Sequence, residues 1–164
     1  MSEKLFNVLF VCTGNSARSI MAESLLNGLA PQRFTAWSAG SHPKGEVHPL
    51  TLQVLEHLSL PHEGLRSKSW NEFAGPAAPQ LDFVITVCDN AAGEVCPVWP
   101  GQPVSAHWGV YDPAAVTGTP EQQQHAFKDV AQILKRRIDL MLSLPAEKLS
   151  SLSIQADLQA IGKL

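Results

Sequence analysis

One tyrosine, three cysteines and no basic run longer than three residues occur in this 164-residue chain, and each scarcity excludes something. With a formal net charge of -3 and Lys and Arg scattered apart from the short Lys135-Arg136-Arg137 cluster, neither nucleic acid nor an anionic membrane surface is an expected partner. No apolar span approaches the ~20 residues that cross a bilayer. The polar opening Met1-Ser2-Glu3-Lys4 and the strand-length apolar run after it carry no targeting pattern, so the protein is expected in the cytoplasm, as a monomer. Three cysteines cannot all pair. In a compartment that keeps thiols reduced they point to catalysis or redox chemistry rather than a disulfide framework. Cys88 and Cys96 are separated by seven residues, no familiar zinc spacing, and no His follows at zinc-finger distance, so no metal site is expected. There is no internal repeat or low-complexity segment. The length and a 45% apolar composition suit one globular domain with a sizeable core.

What is present is concentrated near the start. Cys12-Thr13-Gly14-Asn15-Ser16-Ala17-Arg18-Ser19 follows an apolar run and precedes a helical pattern. A Cys, five residues and an Arg between strand and helix let successive backbone N–H groups converge on a tetrahedral oxyanion, with the helix N-terminus beneath it. Cys12 then sits at the bottom of the bowl. The partial positive charge there, with the Arg18 guanidinium, predicts a thiol that ionises below the free-cysteine value of about 8.5. Arg18 offers a planar fork for two oxygens of the anion. Gly14 and Asn15 suit the tight turn, and the Ser19 hydroxyl is placed to donate to the thiolate.

The rest of the chain alternates strands and helices. Strands are predicted over Leu5 to Val11, Phe34 to Ser38, Leu81 to Val87 and Val104 to His107, with helices over Ala17 to Ala30 and Thr51 to Leu60. Thr119-Pro120-Glu121-Gln122 is a capping box that opens a long helix through Met141. The pattern predicts an α/β fold with a small four-stranded parallel sheet, helices on both faces and right-handed crossovers. Ligands bind beyond the strand C-termini in such sheets, where Cys12, Cys88 and the Tyr111-Asp112-Pro113 loop all fall. From Pro145 onward, Leu149, Leu152, Ile154, Leu158 and Ile161 suggest a packing helix. Of the histidines only His107 is expected near the site.

Cys-Thr-Gly-Asn-Ser-Ala-Arg-Ser at 12–19, followed by Met21-Ala22-Glu23, resembles the low-molecular-weight tyrosine phosphatase superfamily and, within it, the arsenate reductases that share its fold. The resemblance runs from Asn7 to Leu144, which makes residues 1–144 the expected catalytic domain and 145–164 an extension. It implies Cys12 as nucleophile, residues Thr13, Gly14, Asn15, Ser16, Ala17, Arg18 and Ser19 as the oxyanion cradle, and Asp112 as general acid. The phosphatases of the superfamily carry tyrosines after the Asp-Pro to hold a phosphotyrosine ring; Ala114-Ala115 stand there instead, and no Trp, Tyr or Phe lies between Ser38 and His57. A bare oxyanion therefore suits this chain better. Cys88 and Cys96, with His107-Trp108-Gly109 ahead of Asp112-Pro113-Ala114, resemble the redox segment of the reductases. That implies reduction of arsenate, with phosphate or sulfate as analogues, by a thiol relay of Cys12, Cys88 and Cys96. Thioredoxin or glutaredoxin with glutathione would be the external reductant, and no cofactor is tightly bound. The alternatives are a low-molecular-weight protein tyrosine phosphatase and a non-catalytic oxyanion-binding protein.

The chain also departs from the family pattern. The Cys88–Cys96 spacing is one residue longer than in the thioredoxin-coupled reductases, and Ala17 replaces a cysteine common in the loop. Asn15, Glu23 and Ser38 match positions that bind a potassium ion in some relatives. The fourth position, an Asp in those relatives, is Lys68 here, whose ammonium could take the cation's place.

Overall fold

The computed structural model describes residues 5–88 and 102–164. Four strands, β1 (Phe6–Cys12), β2 (Phe34–Gly40), β3 (Phe83–Thr86) and β4 (Val104–His107), form one parallel sheet in the order β2-β1-β3-β4. β1 is central and all of it but the half-buried Asn7 is buried, as its apolar run Val8–Cys12 requires of a strand covered on both faces. Alternation along β2 shows what covers them: Ser38 donates to Glu23 on α1 (Arg18–Leu29), while the adjacent Trp37 packs against Phe73 of a 3-10 turn, Trp70–Phe73, on the opposite face. Phe6 touches both Phe34 and Phe83, an aromatic line across three strands.

The sheet explains where chemistry can occur. The chain leaves β1 for β2 on one side and returns to β3 on the other, so β1 and β3 flank the topological switch point, and the crevice outside their C-terminal ends is open to a ligand. Cys12 ends β1, and Cys88 lies two residues beyond β3.

α2 (Pro49–His57) starts two residues before its sequence-based estimate because His48 acts as its N-cap, Nδ1 accepting from the Leu50 N–H. α3 (Pro120–Leu142) opens on the expected capping box, with Thr119 and Gln122 bonded reciprocally. The C-terminal residues form two short helices, α4 (Ala146–Leu149) and α5 (Ile154–Ile161), rather than one. Leu149, Ile154, Leu158 and Ile161 are buried in the main core as expected, but Leu152 is fully exposed in the turn between them.

Candidate active site

The cradle's shape comes from its outer side. The carbonyls of Cys12, Thr13, Gly14 and Ser16 accept from the N–H groups of Ser41, His42, Lys44 and His48, so the segment after β2 wraps the loop like a belt. Thr51 adds a hydroxyl bond to the Ser16 carbonyl. In a planar trans peptide each N–H points opposite to its neighbouring carbonyl, so carbonyls turned outward leave the amides of residues 13–15 and 17 facing inward. One of them, Asn15 N–H, donates to Cys12 Sγ at 3.2 Å. Local sequence carries no sign of this belt, and it is the main part of the site that sequence reasoning missed.

Asn15 takes the left-handed conformation at φ 45°; Gly14 does not. The buried Asn15 side chain is held at both ends. Its Oδ1 accepts from the Lys68 backbone N–H at 2.8 Å, and its Nδ2 donates to Ser19 Oγ at 2.7 Å. Ser19 Oγ lies 2.9 Å from Cys12 Sγ, within reach to donate its proton to the thiolate. The thiol's ionisation differs from expectation. Burial pushes the Cys12 thiol up and outweighs the Ser19 bonds and Arg18, which pull it down.

Arg18 lies at the start of α1, with Nη1 donating to the Val110 carbonyl at 3.1 Å and Nη2 3.8 Å from Asp112 Oδ2. Asp112 in turn caps a 3-10 turn, Pro113–Ala115, by accepting from the Ala114 N–H. Cys12, Arg18 and Asp112 thus line one cavity of about 180 Å³ together with Thr13, Gly14, Ala17, His42 and Lys44. This is smaller than the ~300–1,000 Å³ of typical small-molecule clefts. Among the described residues no Phe, Tyr or Trp lines it, and Tyr111 is bonded instead to Asp129 and the Ala126 carbonyl on α3. His42 and Lys44 are lining residues that sequence reasoning overlooked, while His107 does not line the cavity.

Cys88 is buried, with its Sγ 3.5 Å from Thr13 Oγ1 at the cradle's lip. Cys12 and Cys88 are both free thiols. Cys96 lies outside the described residues.

The residues expected to match a potassium site hold an ammonium. Lys68 is buried, its Nζ 3.9 Å from Glu23 Oε1 and bonded to the Arg66 carbonyl, and the same Glu23 oxygen accepts from Ser38. An ammonium aimed at that carboxylate makes these residues a poor fit for a potassium ion. Burial pushes Glu23 up and Lys68 down, each partly restrained by the other's charge. Among the described residues no group of three or more His, Cys, Asp or Glu could hold a metal ion.

A family model described as low molecular weight phosphotyrosine protein phosphatase matches residues 7–153. The chain belongs to this family. Within it, an arsenate reductase of Halalkalibacterium halodurans is 31% identical over 131 residues, spanning 80% of this chain and 91% of that relative. A solved arsenate reductase in the phosphate binding state superposes with a TM-score of 0.69 at 26% identity, covering 85% of this chain and 98% of the other. A thioredoxin-dependent arsenate reductase of Corynebacterium glutamicum gives a TM-score of 0.56 at 25% identity, covering 86% of this chain and 65% of that one. The expected phosphatase-like fold is thus the observed one, and family members so similar to this chain include arsenate reductases. No helix among the described residues is long and apolar enough to cross a membrane.

Proposed function

We propose that the chain reduces arsenate to arsenite, with Cys12 as nucleophile, Cys88 as first resolving thiol and Cys96 as second. The observation that carries this reading is the second thiol: Cys88 is buried at the lip of a cradle whose described lining has no aromatic wall for an aryl phosphate. The arsenate reductases among the relatives support it.

Arsenate enters as a tetrahedral oxyanion and is held by the inward amides, the N-terminus of α1 and the Arg18 fork. Burial pushes the Cys12 thiol up, and the entering dianion can serve as the base that takes its proton. Cys12 Sγ attacks arsenic, Asp112 protonates the departing oxygen, and water leaves a Cys12–arsenic(V) bond. Cys88 then attacks Cys12 Sγ. The sulfur–arsenic bond breaks with its electron pair passing to arsenic, so arsenite leaves, and a Cys12–Cys88 disulfide holds the oxidation. Cys96 attacks Cys88 Sγ, releases the Cys12 thiolate and leaves a Cys88–Cys96 disulfide, which a dithiol reductant of the thioredoxin or glutaredoxin class returns to two thiols. The Lys68 ammonium fills the cation's place beside Glu23, so turnover proceeds without added potassium. The cytoplasm, which keeps thiols reduced, is the compartment that suits this cycle.

The test is turnover of arsenate coupled to thioredoxin or to glutaredoxin with glutathione, run beside hydrolysis of an aryl phosphate. Arsenite formation that is lost in Cys12→Ser and severely impaired in Arg18→Lys, since a lysine has no fork, is the expected result. Aryl phosphate hydrolysis without arsenate turnover would make the protein a phosphatase, and tight phosphate binding with neither activity an oxyanion-binding protein.

A further inference from the structure

We propose that the C-terminal extension, residues 145–164, is a positioning element of the active site, acting through Trp108 on the link that carries Asp112. This rests on the reading of Asp112 as proton donor.

Trp108 is the pivot. Fully buried, it donates its backbone N–H to the Thr86 carbonyl on β3 and packs its ring against Phe10, while its own carbonyl accepts from Arg137 Nη1 of α3 at 2.8 Å. The fourth attachment comes from the extension: Trp108 Nε1 donates to the Leu158 carbonyl of α5 at 2.8 Å. The link after Trp108 leads to the site. Gly109's carbonyl accepts from Arg137, Val110 N–H bonds the Val87 carbonyl beside Cys88, Val110's carbonyl orients Arg18, and Asp112 comes next.

α5 holds the strand before Trp108 in the same way. Val104 and Trp108 direct their N–H groups to β3, so the residues between them at odd numbers face the open edge of the sheet. There Gln159 Oε1 accepts from the His107 N–H at 3.0 Å and Gln155 Nε2 donates to the Ser105 carbonyl at 3.4 Å. Two glutamines one helical turn apart thus replace the carbonyl and amide of a missing fifth strand. Gly162 completes the clamp. Its φ of -65° suits any residue, but a Cβ there would lie 2.1 Å from the His107 carbonyl oxygen and 2.8 Å from Trp108 Cδ1. Glycine is required for close approach, at the point where β4 hands over to the Trp108 link.

Full-length Gln159→Leu and Gly162→Ala, each made alone and combined with Asp112→Asn, test the proposal, with Leu152→Ser as a control on the exposed turn of the extension. A displaced donor costs up to ~10²-fold when misplaced by 1 Å, so a loss of about tenfold in kcat is expected with Asp112 present, KM for arsenate changing less than about twofold. In the Asp112→Asn background, itself slower by about 10²–10⁴-fold, the same substitutions should cost little more. Equal losses in both backgrounds, or a lowered Tm with kcat unchanged, would overturn the proposal. An independent readout is the Ala114 amide resonance, which reports the bond to Asp112: it should move in Gln159→Leu and stay fixed in Leu152→Ser. Should the wild-type protein reduce no arsenate, the proposed activity falls and this resonance alone decides the role of the extension; a resonance unmoved in both variants ends it.

Discussion

At the scale of single residues, the nucleophile depends on one hydroxyl. Ser19 Oγ accepts from Asn15 Nδ2 and lies 2.9 Å from Cys12 Sγ, where a bond to the thiolate makes it the side chain that most directly opposes the upward push of burial. A hydrogen bond to a charged group is worth ~1.5–3 kcal/mol, or about ten- to hundredfold in the population of the thiolate. Ser19→Ala should accordingly displace the pH profile of Cys12 alkylation by iodoacetamide to higher pH, because the thiolate loses its donor while the thiol loses little. At neutral pH both alkylation and the first arsenate turnover should slow by about the same ten- to hundredfold factor. Ser19→Thr keeps the hydroxyl and should retain more of the wild-type profile. An unmoved profile in Ser19→Ala would mean that Asn15 N–H and the start of α1 set the ionisation without it.

Between elements, the decisive contacts are those of the cradle with β2 and its belt. Sequence reasoning placed the strand and helix that flank residues 13–17 because strand, turn and helix signals are all local, and it found the α3 capping box for the same reason. It could not see that β2 runs on to Gly40, where a backbone bond from Gly40 N–H to the Lys68 carbonyl extends the strand, nor that His48 caps α2. These depend on partners 28 residues away or on a residue type seldom used as a cap. The two glycines show the difference. Gly14, in the motif itself, needs no unusual φ, and a Cβ there would meet only the flexible stem of Lys44 at 3.2 Å. Gly40, outside the motif, would place a Cβ 2.5 Å from the Thr13 carbonyl oxygen and 3.1 Å from Asn15 N, both backbone. Gly40→Ala should therefore cost about 1–3 kcal/mol of stability and weaken phosphate binding measured by calorimetry, while Gly14→Ala is tolerated with far smaller losses in both. The reverse ranking would show that the loop's own flexibility, not its packing on β2, governs the cradle.

For the molecule as a whole, the burial of two thiols is what favours the proposed relay. The sheet order that opens the crevice between β1 and β3 also buries what lies in it: Cys12 and Cys88 are 2% and 1% exposed, so a disulfide between them is closed to a protein reductant. Thiol–disulfide exchange needs access to the sulfur under attack, so under the proposed function a third thiol carries the oxidation outward to thioredoxin or glutaredoxin. Cys96 is the chain's one remaining cysteine. Sequence reasoning assigned it from family likeness, since a thiol-exchange role leaves no periodic or capping signal. Cys88→Ser should consequently stop at the Cys12–arsenic stage and release no arsenite unless a small thiol is added. Cys96→Ser should release one arsenite per protein and then accumulate the Cys12–Cys88 disulfide, identified by peptide mapping after a single addition of arsenate. Glutathione is small enough to resolve the intermediate directly, and the longer Cys88–Cys96 spacing keeps that route distinct from the thioredoxin-coupled pattern. Repeated turnover by Cys96→Ser at the wild-type rate with glutathione and glutaredoxin would assign the second step to glutathione and remove Cys96 from the cycle; a single burst under the same conditions would fix it there.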